Sequence, residues 1–225
     1  MLLAKPLFPT VRVLIFDLDG TLIDSKLDLA LSVNATLEHL GRPALDHQTI
    51  YSCVGSGATL LIRRVLGEDA TDADAEDGLS YFLSYYCSHM LDHTIAYPGV
   101  REALDSLARH SMAVLTNKPV NFSRAILDGL DLSKYFRFVY GGNSFERKKP
   151  DPMGVQTILR DLDAAPREGM MIGDSDVDIK TARSAGIFSA GVSYGIGLES
   201  LSAHPPDVML DNLGELPALL TQLST

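Results

Sequence analysis

Two aspartates one residue apart close the apolar run VRVLIF: Asp17 and Asp19, in VRVLIFDLDGTLIDS. If extended geometry persists through them, both side chains project to one side of the backbone. Two carboxylates in one small volume repel unless a cation or a proton lies between them, so the pair calls for a bound metal, a shared proton, or both. Gly20 and Thr21 follow, supplying a turn and a hydroxyl to hold one carboxyl in place. A calcium loop is excluded, because DLDGTLIDSKLD has Leu22 at its sixth position, where that turn needs glycine.

Three more polar clusters follow or sit between apolar runs. VLTNKP puts Thr116 and Asn117 where a hydroxyl and adjacent main-chain N–H groups can hold phosphate oxygens. In ERKKPDP a proline stiffens the turn after two lysines; Lys149, directly before Pro150, is expected to point inward and Lys148 to be exposed. MMIGDSDVDI ends on Asp174, Asp176 and Asp178. Asp174 and Asp178 are one helical turn apart, and acids in a first turn also suit the helix dipole. Ile179 stands where a calcium loop needs glycine, so that reading fails here too.

The elements that must position these groups are legible as alternating patterns. VRVLIF, MAVLTN, FRFVYGG, GMMIGDS and FSAGVSYG are short continuous apolar runs, as expected of strands buried on both faces. Between them, residues 99–110, 121–132, 151–163 and 176–186 are apolar at helical spacing, and PPDVMLDNLGELPALL reads as a last strand and a closing helix. The alternation predicts an α/β fold with a doubly wound, Rossmann-like parallel sheet. Ligands of such sheets collect beyond the carboxyl ends of the strands. Asp17 and Thr116 are 99 positions apart, whereas Thr116 and Asp174 are 58 apart with another strand between them. The surplus, residues 24–95, has helical periodicity and no convincing strand, so an inserted α-helical cap is expected there, with 1–23 and 96–225 as the core and hinges near 22–26 and 93–98. Within that insert DATDADAED is read as a solvated acidic loop or a helix start.

Composition narrows the partners. The chain of 225 residues is 46% hydrophobic and 21% charged, as a soluble globular protein is, and no apolar run reaches the roughly 20 residues a bilayer span needs. A net charge of -10 opposes binding to a polyanion, so no nucleic acid partner is expected. Cys53 and Cys87 form no CxxC motif, and a reducing cytoplasm is the expected location. MLLAKPLFPTVRVLIF is read as a tail and first strand, since Pro6 and Pro9 interrupt it and no charged region leads to a small-residue cleavage site.

DLDGT, TNK, KPDP and GDSDVD, in this order and over nearly the whole chain, resemble the four motifs of the haloacid dehalogenase (HAD) superfamily. FDLDGTLIDS, VGSGATLLIRRVLG, YPGV, TNKP and GDSDVDIKTARSAG are similar to its phosphoglycolate phosphatase-like branch. The resemblance implies a HAD-like core with a helical cap and a Mg²⁺-dependent phosphatase working through an aspartyl-phosphate on a small phosphorylated metabolite, with 2-phosphoglycolate first in line. It implies Asp17 as nucleophile, Asp19 as acid and base, Thr116 and Asn117 as phosphate ligands, and Lys149 as the neutralising cation. Asp17, the main-chain carbonyl of Asp19, and Asp174 would hold the metal, with Asp178, Ser175 and Thr21 in support; Asp176 receives no role. Gly55, Ser56 and Gly57 stand at a helix start, where free N–H groups can meet a second anionic end of the substrate. His89 and His93 are read as a surface or packing pair, and Tyr81, Tyr85 and Tyr86 as packing aromatics. A pyrophosphatase, nucleotidase, or sugar-phosphate phosphatase or mutase would use the same core. A non-catalytic metal- or partner-binding protein is the alternative from another class, for which the full set of acids together with Lys149 would be a coincidence. The chain is expected to work as a monomer or homodimer.

Overall fold

Val13–Phe16 (β1) is wholly buried, and its residues feed two apolar layers in turn: Leu14 and Phe16 one, Val13 and Ile15 the other. A strand covered on both faces must alternate in this way. In the computed structural model, which describes residue 8 and residues 10–221, β1 lies between Ser111–Leu115 (β4) and Gly169–Gly173 (β6). Phe138–Tyr140 (β5), Phe188–Val192 (β7) and Val208–Leu210 (β8) complete a six-stranded sheet in the order β5-β4-β1-β6-β7-β8, every neighbouring pair parallel. The tail read from the first residues lies outside the described residues.

The chain leaves β1 for β4 on one side of the sheet and returns to β6 on the other, so a crevice opens beyond the ends of these three strands. Phe16 lies beside Val114 and Ile172, which brings Asp17, Thr116 and Asp174 out together at its floor. Val100–Ser106 (α5), Val120–Gly129 (α6) and Leu216–Thr221 (α10) supply apolar side chains to the Leu14 and Phe16 layer. Met153–Asp161 (α7) and Asp176–Ala185 (α8) cover the other face. The short Leu198–Leu201 (α9) buries Leu201. The apolar runs of the sequence therefore became strands, two or three residues shorter at ends such as Thr116 and Asn117 or residues 193–195.

Between β1 and β4 the chain forms Lys26–His39 (α1), His47–Ser52 (α2), Ala58–Leu66 (α3) and Asp72–His89 (α4). Val33, Leu37, Ile62 and Phe82 from these helices join the same apolar cluster as Leu14 and Phe16. The acidic run DATDADAED is a helix start: Thr71 caps the main chain of Asp74 and the Asp74 carboxylate answers on Thr71. The expectation of no strand in this segment fails at its two ends. Ile23–Asp24 (β2) and Ile95–Ala96 (β3) pair antiparallel, Ile23 opposite Ala96 and Asp24 opposite Ile95. Two-residue strands carry no readable period, and α2 is too short to show one. Beside this ribbon, Asp28 in the first turn of α1 is buried and accepts four hydrogen bonds, from the main chain and Nδ1 of His93 (3.0 and 2.8 Å) and from the main chain and hydroxyl of Thr94 (2.8 and 2.7 Å). Among the described residues, no helix is long and apolar enough to cross a membrane.

Candidate active site

Asp17 follows β1 with its own N–H still bonded to the Ile172 carbonyl at 2.9 Å, so the sheet itself fixes where its side chain starts. One carboxylate oxygen, Oδ1, accepts from the main chain of Leu18 at 2.7 Å and meets Lys149 Nζ at 2.9 Å. Lys149 Nζ also reaches Asp178 Oδ1 at 2.6 Å, and all three groups are buried. Asp174, at the end of β6, accepts on Oδ2 from the main chains of Ile196 (2.7 Å) and Gly197 (2.9 Å). Asp178 Oδ2 is taken by the hydroxyl and N–H of Ser175, at 2.8 and 3.2 Å. Gly20 has φ of 82°, and a Cβ there would lie 2.1 Å from Asp174 Oδ2, so only glycine lets the first loop pass this close to the third acid.

Asp17, Asp174 and Asp178 thus present carboxylate oxygens within 4.8 Å of one another around a single lysine. Burial, with repulsion from Asp178, pushes the Asp17 carboxyl up against the pull of Lys149. Burial, then Asp178 and Asp17, push Asp174 up further. Burial also works against charge on Lys149, but Asp17 and Asp178 reverse it and hold the ammonium above its ordinary value. The cluster is short of positive charge, and its donors are hard oxygens suited to Mg²⁺. Both oxygens of Asp178 have partners, whereas Asp17 Oδ2 and Asp174 Oδ1 carry no hydrogen bond among the described residues; those two are the atoms the arrangement leaves for a cation.

Asp19 diverges from Asp17 rather than sharing its contacts. Its two oxygens meet Lys118 Nζ at 2.9 and 3.1 Å, and Oδ1 also accepts from the Ser25 hydroxyl at 2.5 Å. The hydroxyl that holds it is Ser25's, where the sequence pointed to Thr21: Thr21 Oγ1 is buried without a hydrogen-bond partner among the described residues. Lys118 is buried, yet Asp19 outweighs that burial and holds its ammonium above the ordinary range. Sequence reasoning passed over Lys118, although its place directly after Thr116 and Asn117 at a strand end was the available signal.

Thr116 is buried and its Oγ1 accepts from the Lys118 main chain at 3.2 Å. Asn117 Nδ2 donates to the carbonyls of Gly55 and Lys149, both at 3.1 Å, so its side-chain donors are committed and the main chain is what it can offer a phosphate. Gly55 and Gly57 line the cavity that Asp17, Asp19, Thr116 and Asp174 also line, while the Ser56 hydroxyl faces Arg64 at 3.3 Å. Lys148, expected on the surface, is half-buried and its Nζ donates to the Ser56 carbonyl at 2.6 Å. Burial and nearby Arg64 hold that ammonium below its ordinary value. Gly57 has φ of 89°, and a Cβ on it would lie 3.0 Å from the Asn117 carbonyl. His89 stacks on Tyr85 and His93 bonds Asp28, away from the acids, while Tyr86 lines the cavity.

The haloacid dehalogenase-like hydrolase family matches residues 14–192. A phosphoglycolate phosphatase of Pseudomonas putida is 38% identical over 223 residues, spanning 94% of this chain and 81% of its own. Another, of Colwellia psychrerythraea, is 38% identical over 214 residues, covering 91% and 95%. Among solved structures, a predicted phosphoglycolate phosphatase of Haemophilus somnus superposes with a TM-score of 0.88 at 28% identity, covering 93% of this chain and 98% of that one.

Proposed function

The chain belongs to the haloacid dehalogenase-like hydrolase family, and from that premise we propose that it is a Mg²⁺-dependent phosphatase of a small phosphomonoester, with 2-phosphoglycolate as its substrate. The observation that carries this reading is the meeting of Asp17, Lys149 and Asp174 at the ends of adjacent parallel strands and loops, beside a cavity that Asp19 and Thr116 also line. Residues 24–95 act as a cap over a core of 1–23 and 96–225.

The Asp17 carboxylate attacks phosphorus, the ester P–O bond breaks, and its electron pair leaves with the alcohol oxygen, which takes a proton from the Asp19 carboxyl. Water then gives a proton back to Asp19 and attacks the aspartyl-phosphate; the Asp17–phosphorus bond breaks and inorganic phosphate departs. Two displacements replace one hard step. A positioned acid and base of this kind contributes about 10²–10⁴-fold. Lys118 and Ser25 fix Asp19 in place, Lys149 offsets the charge of Asp17, and Thr116 with the main chain of Asn117 receives the phosphoryl oxygens. Asp17, Asp174 and the Asp19 carbonyl would hold Mg²⁺, with Asp178 and Ser175 bracing them. When bound, the ion supplies positive charge against the charge that develops on the transferring phosphoryl group. The protein works in the cytoplasm as a monomer or homodimer, with neither nucleic acid nor membrane as partner.

Hydrolysis of a panel of phosphate esters with Mg²⁺ and with a chelator tests this. Preference for 2-phosphoglycolate, abolished by the chelator and restored by Mg²⁺, is expected. Preference for pyrophosphate, a nucleotide or a sugar phosphate would move the substrate, and no hydrolysis of any ester would overturn the activity.

A further inference from the structure

Opposite the acids, the cavity of about 60 Å³ is walled by apolar side chains of the helical segment, Leu29, Leu61 and Phe82 among them. Tyr86 places a polar atom in that wall. The residue is 1% exposed; its hydroxyl lies close to the Lys118 ammonium, which can only donate, and no acceptor for the hydroxyl's own proton stands among the described residues. Buried tyrosine hydroxyls are ordinarily paired, since an unmade bond there is destabilising and phenylalanine would keep the same ring packing without it. The ring is held firmly, stacked on Phe82 at 5.6 Å between centroids and meeting the edge of Phe122 at 5.5 Å. Tyr86 lines the cavity, and an entering ligand is a source for that acceptor.

Two neighbours define what that acceptor is. Lys118 Nζ lies 4.6 Å from the centre of the Tyr86 ring, and Asp19 takes two of its three N–H bonds. An acceptor here sits beside an ammonium, which favours an anionic oxygen over a neutral one. Burial pushes the phenol up to about 12, so the hydroxyl remains a donor at neutral pH.

Resting on the phosphatase reading above, we propose that Tyr86 is a specificity-determining residue, its hydroxyl donating to a carboxylate at the far end of a short phosphorylated hydroxy acid, with Lys118 alongside. The core then holds the phosphoryl end and helix α4 reads the other.

The test compares kcat/KM for 2-phosphoglycolate with that for ethyl phosphate, which keeps the two-carbon length and lacks the carboxylate, in the wild type and in Tyr86→Phe. Loss of a hydrogen bond to a charged group should lower the ratio of the two about 10- to 100-fold in the variant. A ratio unchanged by the substitution, whether both activities fall together or neither does, overturns the proposal. A wild type that hydrolyses ethyl phosphate as well as 2-phosphoglycolate also overturns it, leaving the phosphatase reading intact. A wild type that hydrolyses neither, nor any other ester, strikes the phosphatase reading instead. Urea unfolding of the variant separates lost recognition from a lost fold.

Discussion

The two sides of the cavity are built on opposite principles. On the sheet side the acids and lysines are each held by two or more contacts: Lys149 bridges Asp17 and Asp178, Asp174 takes two main-chain N–H groups, and Asp19 takes Lys118 and Ser25. On the helical side the wall is apolar apart from Tyr86, and its polar links to the sheet side are few, among them Asn117 to the Gly55 carbonyl and Lys148 to the Ser56 carbonyl. Preorganised charge suits chemistry, where reorganisation is costly, and an apolar wall with few polar links suits entry, release and choice of ligand.

Substitutions on the two sides should therefore damage different quantities. The largest effect is expected in the sheet: Asp17→Asn should lower kcat by on the order of 10⁴-fold or more. Asp19→Asn should instead accumulate phosphoenzyme from an aryl phosphate whose leaving group needs no proton, seen as a burst in rapid-quench kinetics. Wild-type activity in Asp17→Asn would erase the contrast at its root. A smaller effect is expected at the link. Lys148→Met removes the bond to Ser56 and should raise KM about 2- to 10-fold, with kcat less affected. A collapse in kcat there would mean that the link belongs to the chemistry.

The smallest effect is expected at Asp28, and it is one of stability. Burial pushes its carboxyl up, but the bonds from His93 and Thr94 outweigh that and hold it below the ordinary aspartate value. A depressed folded value contributes stability that is complete above the unfolded value of about 3.9 and is lost as pH falls through the lower folded one. Asp28→Asn should therefore be less stable than wild type by about 1–3 kcal/mol at pH 7 in urea unfolding, with the gap closing below about pH 4. A gap that persists unchanged to pH 3 would remove ionisation as its cause.

The same division governs what could be read in advance. Asp17, Thr116 and Asp174 stand directly behind apolar strands, so a local pattern announced each of them, and parallel register brought them together. Lys118 and Asp28 escaped notice because their partners lie far along the chain: Asp19 is 99 positions from Lys118, and Asp28 is 65 from His93. Tyr86 was read as packing, which its ring does; its spacing with Ala75, Gly78 and Phe82 marks the buried stripe of α4, but nothing local tells that its hydroxyl would be left without an acceptor. Lys148 was misjudged for a related reason. The carbonyl it reaches is 92 positions away, on a loop whose path is set by glycines.

The paired dipeptides Ile23–Asp24 and Ala96–Ile95 make a doorway through which the chain goes out and comes back at one point. A loop pinched at its mouth can double in length for only about 0.6 kcal/mol of closure entropy. Loops beyond that doorway can therefore lengthen or shorten at little cost to closure, so recognition can be rewritten while the strand ends keep the reaction, as long as Ser25 still holds Asp19.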